Sequence, residues 1–287
     1  MTHSLLRFRN LLRQLPRRSY RLTKWRLLRR MERRTEDPVV IYSMSKTASS
    51  AIVRAVRGAA SQPVYKVHLL TPESVSRAEA RYRHTDRRAR PRHIFHASHL
   101  LRHLPTAEHP WLVITIVREP VMRSASDFFQ SGRRLGRLAD AAATTSLFAK
   151  FATEQGIPRT LDWFDHELKP NLGIDVYAHP FDPATGYCII ESPAVRLLLL
   201  RQESLAVAPE ALGQFLGLPH DLPLDRENEG AQKEYSDLYA SVVRDVRFPE
   251  PMLERTYGSR FAKHFYSDEE LDRFRHRWTD GTNEPGS

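Results

Sequence analysis

Cysteine is nearly missing from this 287-residue chain, with Cys188 the single one. That excludes an internal disulfide and any cysteine-rich metal site, and it suits a reducing compartment. Long apolar runs are missing too. The longest, such as Leu197–Leu200, are far too short to cross a bilayer, and the N-terminus lacks the continuous apolar stretch of a secretory signal. A cytoplasmic protein is expected, one able to lie against a membrane. Glycine is sparse, and the first is Gly58, so no glycine-rich Walker loop precedes it.

What is abundant is arginine, and its placement matters more than its number. The formal net charge is +10. All of it lies in residues 1–36, where eleven arginines and Lys24 face only Glu32 and Glu36. The other 251 residues balance to neutrality. Leu5, Leu6, Phe8, Leu11, Leu12 and Leu15 sit among these arginines at helical spacing, broken at Pro16. Residues 1–36 therefore read as a basic amphipathic helical arm. It could face an anionic membrane surface or a protein partner, or pack its leucines on its own domain. Nucleic acid is disfavoured, because no reading helix or zinc-ligand spacing accompanies the charge.

Residues 37–279 read as one α/β domain and 280–287 as a disordered tail. The hydrophobic fraction of 41% can fill a sizeable core. Val39–Tyr42 has the look of a buried parallel strand, followed by a small polar stretch and a helix from Ala51. Tyr65–Leu69 is a second strand, Ile94–His96 a short third and Trp111–Val117 the clearest of all. Pro120 opens a helix. Residues 139–169 are helical with an interruption at Gly156–Pro158. Ile174–Tyr177 and Tyr187–Ile190 read as a strand pair around the Asp182–Gly186 turn, and Val195–Leu200 as another buried strand. Helices follow from Pro209 to Trp278. Alternating strands and helices predict a mostly parallel central sheet covered on both faces, a three-layer, P-loop-NTPase-like architecture.

Two segments carry chemistry. Ser43–Ser50 joins the first strand to its helix, where backbone N–H groups, the helix dipole, the hydroxyls of Thr47, Ser49 and Ser50 and the Lys46 ammonium could surround an anion. Arg118 stands at the carboxyl end of the Trp111–Val117 strand, the ligand edge of open α/β sheets, and Ser126 lies in the helix that follows. A guanidinium and a hydroxyl there suit a second phosphate. The ordinary alternatives are a loop lysine, an arginine paired with Glu119 or Asp127, and a small serine at a helix contact.

Lys46-Thr47-Ala48-Ser49-Ser50 resembles the 5′-phosphosulfate loop of PAPS-dependent sulfotransferases, in which a Lys-Ser-Gly-Thr-Thr-like string follows the first strand. Arg118 and Ser126, with Pro120 and Arg123 between them, resemble the 3′-phosphate motif of that family. Gly173-Ile174-Asp175-Val176-Tyr177, Phe181-Asp182, Gly186-Tyr187 and Lys263-His264-Phe265-Tyr266-Ser267 are similar to a sulfotransferase-like family named for capsular polysaccharide synthesis. The resemblance implies sulfuryl transfer from PAPS (3′-phosphoadenosine 5′-phosphosulfate), without a metal, to a hydroxyl acceptor such as a carbohydrate. Ser45, Lys46, Thr47, Ala48, Ser49, Ser50, Arg118, Ser126 and Lys233 would hold the nucleotide. Ala48 departs from the pattern, since glycine usually stands there, and a positive φ would strain it. A histidine is the usual base near neutral pH. In that family it often follows the strand before the arginine-bearing one, which singles out His99, then His96, then His68. The alternative is a non-catalytic protein that binds a nucleotide or a polysaccharide-assembly partner through a degenerate form of the same fold.

Overall fold

The computed structural model describes residues 37–83, 91–135, 140–224 and 236–279. The basic arm, Lys233 and the 280–287 tail lie outside them. Five strands form one sheet: β1 (Val39–Tyr42), β2 (Val64–Val67), β3 (Trp111–Val117), β4 (Tyr187–Glu191) and β5 (Val195–Arg201). Their order is β2-β1-β3-β5-β4. β1 pairs in parallel with β2 and β3, and β3 pairs in parallel with β5 along its whole length, from Trp111 opposite Val195 to Val117 opposite Arg201. β4 alone is antiparallel.

The helices are α1 (Ser49–Ala59), α2 (Pro72–Arg83), α3 (Arg92–Leu100), α4 (Pro120–Leu135), α5 (Ala141–Phe151), α6 (Ile157–Leu161), α7 (Lys169–Leu172), α8 (Ala208–Leu216), α9 (Ser236–Asp245), α10 (Glu250–Tyr257), α11 (Arg260–Phe265) and α12 (Asp268–Thr279). Strand alternation sorts the sheet's two faces. Val39, Ile41, Ile114, Ile116, Leu198 and Leu200 form a core with Ile52, Val53 and Val56 of α1 and Ala211, Leu212 and Phe215 of α8. On the other face Tyr42 meets Trp163 edge-on at 5.1 Å, and Tyr65 meets His96 of α3. Helices thus cover both faces, and β1, Val113–Val117 of β3 and Leu197–Leu200 of β5 are buried throughout because neither side meets water there.

Two sequence expectations are corrected. Ile94–His96 is not a strand but the middle of α3, whose buried residues Ile94, Ala97 and Leu100 recur every third position. Ile174–Tyr177 is not one half of a strand pair. Asp175 caps a single 3-10 turn at Val176–Ala178 by accepting from the Tyr177 N–H at 3.1 Å. The real hairpin joins β4 to β5 through Ser192-Pro193-Ala194, and the Asp182–Gly186 turn instead leads into β4. The interruption near Gly156 is a π-helical turn at Ala152–Gly156, and a second π turn spans Phe164–Leu168.

Candidate functional site

The four parallel strands end together, so Ser43, His68, Arg118 and Gln202 leave the sheet along one edge. The loop from β1 to α1 has two non-glycine residues in the left-handed region, Lys46 (φ 71°) and Ala48 (φ 57°). Such a conformation costs roughly 1–2 kcal/mol per residue and turns successive N–H groups toward one side. Ala48 caps α1 without a side-chain hydrogen bond, and no acidic residue stands in the first turn. The orphan N–H groups of that turn are a ready anion site. Thr47 is fully buried, and its hydroxyl donates to the Met44 carbonyl at 3.0 Å and lies 3.1 Å from the Ser43 hydroxyl. It braces the loop from beneath. Ser49 is buried and Ser50 exposed.

The loop is tied directly to the second segment. Arg118 donates from one nitrogen to the Lys46 carbonyl at 3.1 Å and to the Ser126 hydroxyl at 2.8 Å. Glu119, named in the sequence as a possible partner of Arg118, is engaged elsewhere. It is the N-cap of α4 and accepts from the Val121 and Met122 N–H groups at 2.9 and 2.6 Å and from the Tyr257 hydroxyl at 2.6 Å. Burial pushes its carboxyl up from the usual range, against the pull of those donors. Asp127 is 3.9 Å from Arg123, not Arg118. Arg123 is itself buried and bonds Thr160 at 2.6 Å and the Gly156 carbonyl, freed by the π turn, at 2.8 Å. Arg123 also reaches the Ser45 carbonyl at 3.5 Å, so both arginines touch the loop, Arg118 from the sheet edge and Arg123 from the buried side.

The three histidines separate along β2. His99 sits at the carboxyl end of α3 with its Nε2 3.4 Å from the Tyr65 hydroxyl, and Tyr65 pairs with Val40 in mid-strand. His96 lies 3.2 Å from the backbone N and O of Lys66, and burial lowers its pKa to about 4. His68 follows the last β2 residue and is level with the loop, about 10 Å further along than Tyr65 at strand rise. Its Nδ1 is 2.7 Å from the Ser43 carbonyl. A carbonyl only accepts, so the ring proton is on Nδ1 and Nε2 carries the lone pair. Trp163 holds the His68 carbonyl at 3.2 Å. Burial lowers the His68 pKa to about 3, with lesser contributions from Lys66, His93 and Lys46, while the Ser43 bond opposes them.

Three residues at this edge were not named from the sequence. Lys66 shares the α1 face of β2 with Val64, and its ammonium reaches the Ser50 hydroxyl at 2.9 Å. A polar residue inside the Val-Tyr-Lys-Val strand was its only signal. His93 brings its ring to 5.4 Å from His68. Tyr239 of α9 has its hydroxyl 3.4 Å from that of Ser126 and its ring on Phe129. Nothing local marks it.

The β5 end is closed. Arg201 makes a bidentate pair with Glu270 at 2.6 and 2.8 Å and donates to the Phe265 carbonyl at 2.9 Å. Glu203 accepts from the Glu119 N–H at 2.8 Å and lies 3.3 Å from the Tyr266 hydroxyl.

Residues 140–267 match a family model described as NKWYS, "Putative capsular polysaccharide synthesis protein". The match covers under half of the chain and begins after both the Ser43–Ser50 loop and the Arg118–Ser126 segment, taking in the π turns, β4, β5 and the 265–267 block that docks on Arg201 and Glu203. No curated protein and no solved structure matches the chain.

Proposed function

We propose that this chain is a PAPS-dependent sulfotransferase that moves a sulfuryl group to a hydroxyl, with a saccharide as acceptor. One observation carries the reading: the Arg118 guanidinium bonds both Ser126 and the Lys46 carbonyl, so the two segments that resemble the 5′- and 3′-binding motifs lie against each other. The family description over residues 140–267 supports a role in polysaccharide synthesis.

PAPS, when bound, supplies the sulfuryl group and a phosphate leaving group. The chain's own residues supply positioning and charge, which dominate transfers of this kind. The β1–α1 loop with Lys46 would hold the phosphosulfate end, and Lys66 adds a second cation at the amino end of α1. Arg118 and Ser126 would hold the 3′-phosphate, with Tyr239 beside them. His68 is the base in this reading. Its tautomer leaves Nε2 to accept a proton from the acceptor hydroxyl. The pKa of about 3 in the free chain makes it a weak base, and the negative charge of a bound donor would offset Lys46 and Lys66 and raise it. His99, first choice from sequence, stands against Tyr65 about three strand residues back.

Transfer of radiolabelled sulfate from PAPS to a panel of neutral and acidic oligosaccharides tests this. Labelled product from the wild type that is lost in His68→Gln supports it. PAP binding without transfer to any saccharide would favour the non-catalytic alternative instead.

A further inference from the structure

The near-neutral body hides a sorted charge distribution. Residues 38–72 contain no aspartate or glutamate and carry Lys46, Arg54, Arg57 and Lys66. Residues 91–107 contain none either and carry Arg92, Arg102 and four histidines. These two stretches build β1, α1, β2 and α3, and the carboxylates that bond them come from other elements: Glu79 of α2 accepts from Ser98 at 2.6 Å and Glu167 from the Leu70 N–H at 2.7 Å. Residues 140–224, by contrast, hold eleven acidic and five basic residues.

The basic side chains of this flank stand on adjoining elements. Arg54 and Arg57 are exposed on α1, and Arg57 donates to the Val64 carbonyl at 3.2 Å, on β2. Arg92 is exposed at the start of α3. Arg92 precedes His93, whose ring lies 5.4 Å from that of His68. One strand position on from Tyr65, Lys66 reaches Ser50 at the mouth of the donor loop, where Lys46 and His68 stand. Like charges gathered on adjacent elements raise the energy of the free protein and concentrate anions along their path.

We infer that this flank, Arg54, Arg57 and Arg92 leading to Lys66, is the docking surface for a polyanionic acceptor, an acidic oligosaccharide threaded toward His68. The inference rests on the proposed transfer reaction for the word acceptor, and on charge complementarity for the surface. A saccharide fits better than the other polyanions. Exposed aromatic rings, on which single-stranded bases stack, do not line α1 or α3, and the exposed large apolar side chains among the described residues are Leu104 and Leu147 alone, too few to enter a bilayer.

The test uses the full chain and four fluorescent or vesicular probes: an oligogalacturonate octamer, a dextran octamer, a 20-nucleotide oligothymidylate and phosphatidylglycerol vesicles. Oligogalacturonate should bind best, with affinity falling as salt rises. Arg54→Gln/Arg57→Gln/Arg92→Gln should weaken it about tenfold, as the loss of three exposed charge contacts implies. PAP affinity, measured on the same samples by calorimetry, should not change and reports that the variant is folded. Oligogalacturonate binding no better than dextran, or equally well to the triple variant, would overturn the surface. Tighter binding of oligothymidylate or vesicles would overturn the saccharide. Oligogalacturonate binding without PAP binding would leave the surface standing and remove the donor site, so the two claims fail separately.

Discussion

Two neighbouring parallel strands each end near an arginine, and the two arginines meet different fates. Arg201 closes β5 almost fully buried, held by both oxygens of Glu270 and stacked 5.0 Å over the Tyr266 ring. Arg118 follows β3 and contacts only neutral oxygens among the described residues, those of Lys46 and Ser126. A neutralised guanidinium is finished structure. A guanidinium that bonds a left-handed loop and a hydroxyl, at the ligand edge of the sheet, is the one the proposed reading assigns to an anion. Charge is also sorted by region: residues 38–72 contain no aspartate or glutamate, while residues 140–224 hold eleven.

The predictions sharpen that contrast, beginning with the largest effect. Lys46→Ala and His68→Gln should each lower the transfer rate by about 10²–10³-fold, as loss of a charge stabiliser or a general base does. His99→Gln, assayed alongside, should retain most activity, and equal losses at His68 and His99 would return the base to α3. Arg201→Ala should destabilise by about 3–5 kcal/mol in urea unfolding, because it strands Glu270 beside a buried backbone carbonyl. Arg118→Ala should move the same midpoint little. If the two variants unfold alike, the distinction between finished and waiting arginines is lost.

Acid should act through the flank as well. His68 and His96 have pKa values lowered by burial to about 3 and about 4, below the ordinary 6.5. The unfolded chain then binds more protons below pH 6.5, so stability falls as pH drops from 6.5 toward 4, by about 1.4 kcal/mol per pH unit for each histidine. His96→Asn should remove about half of that slope in unfolding measured at pH 6.5, 5.5 and 5.0. An unchanged slope would mean His96 is already protonated in the fold. The smallest effect belongs to Ala48→Gly. Relief of the left-handed strain, partly offset by glycine's freedom in the unfolded chain, should raise stability by about 0.5 kcal/mol.

Much of the fold was legible where burial on both faces leaves an unbroken apolar run, as in Trp111–Val117 and Val195–Leu200. It was illegible at α3, because His96 and His99 are buried at positions where a helix usually shows apolar residues. Ile174–Tyr177 misled through its β-branched residues, although Asp175 carried the signal of a capped turn. Of the site, the parts local in sequence were readable: the loop after β1, and Arg118 with Ser126 eight residues on. Lys66, His93 and Tyr239 reach it only through strand pairing and helix docking across long sequence separations, and no local pattern records those.

In the proposed reading the loop of Lys46 and the side chain of Arg118 grip one nucleoside carrying phosphates at both ends. Calorimetric titration of PAP and of adenosine 5′-phosphate, without divalent metal, into wild type and Arg118→Ala measures it directly. The expected result is that the variant loses about 10–100-fold in affinity for PAP and almost nothing for adenosine 5′-phosphate, since only PAP has the 3′-phosphate that Arg118 would hold. Equal PAP affinity in the two proteins, or an equal loss for both nucleotides, would contradict the assignment.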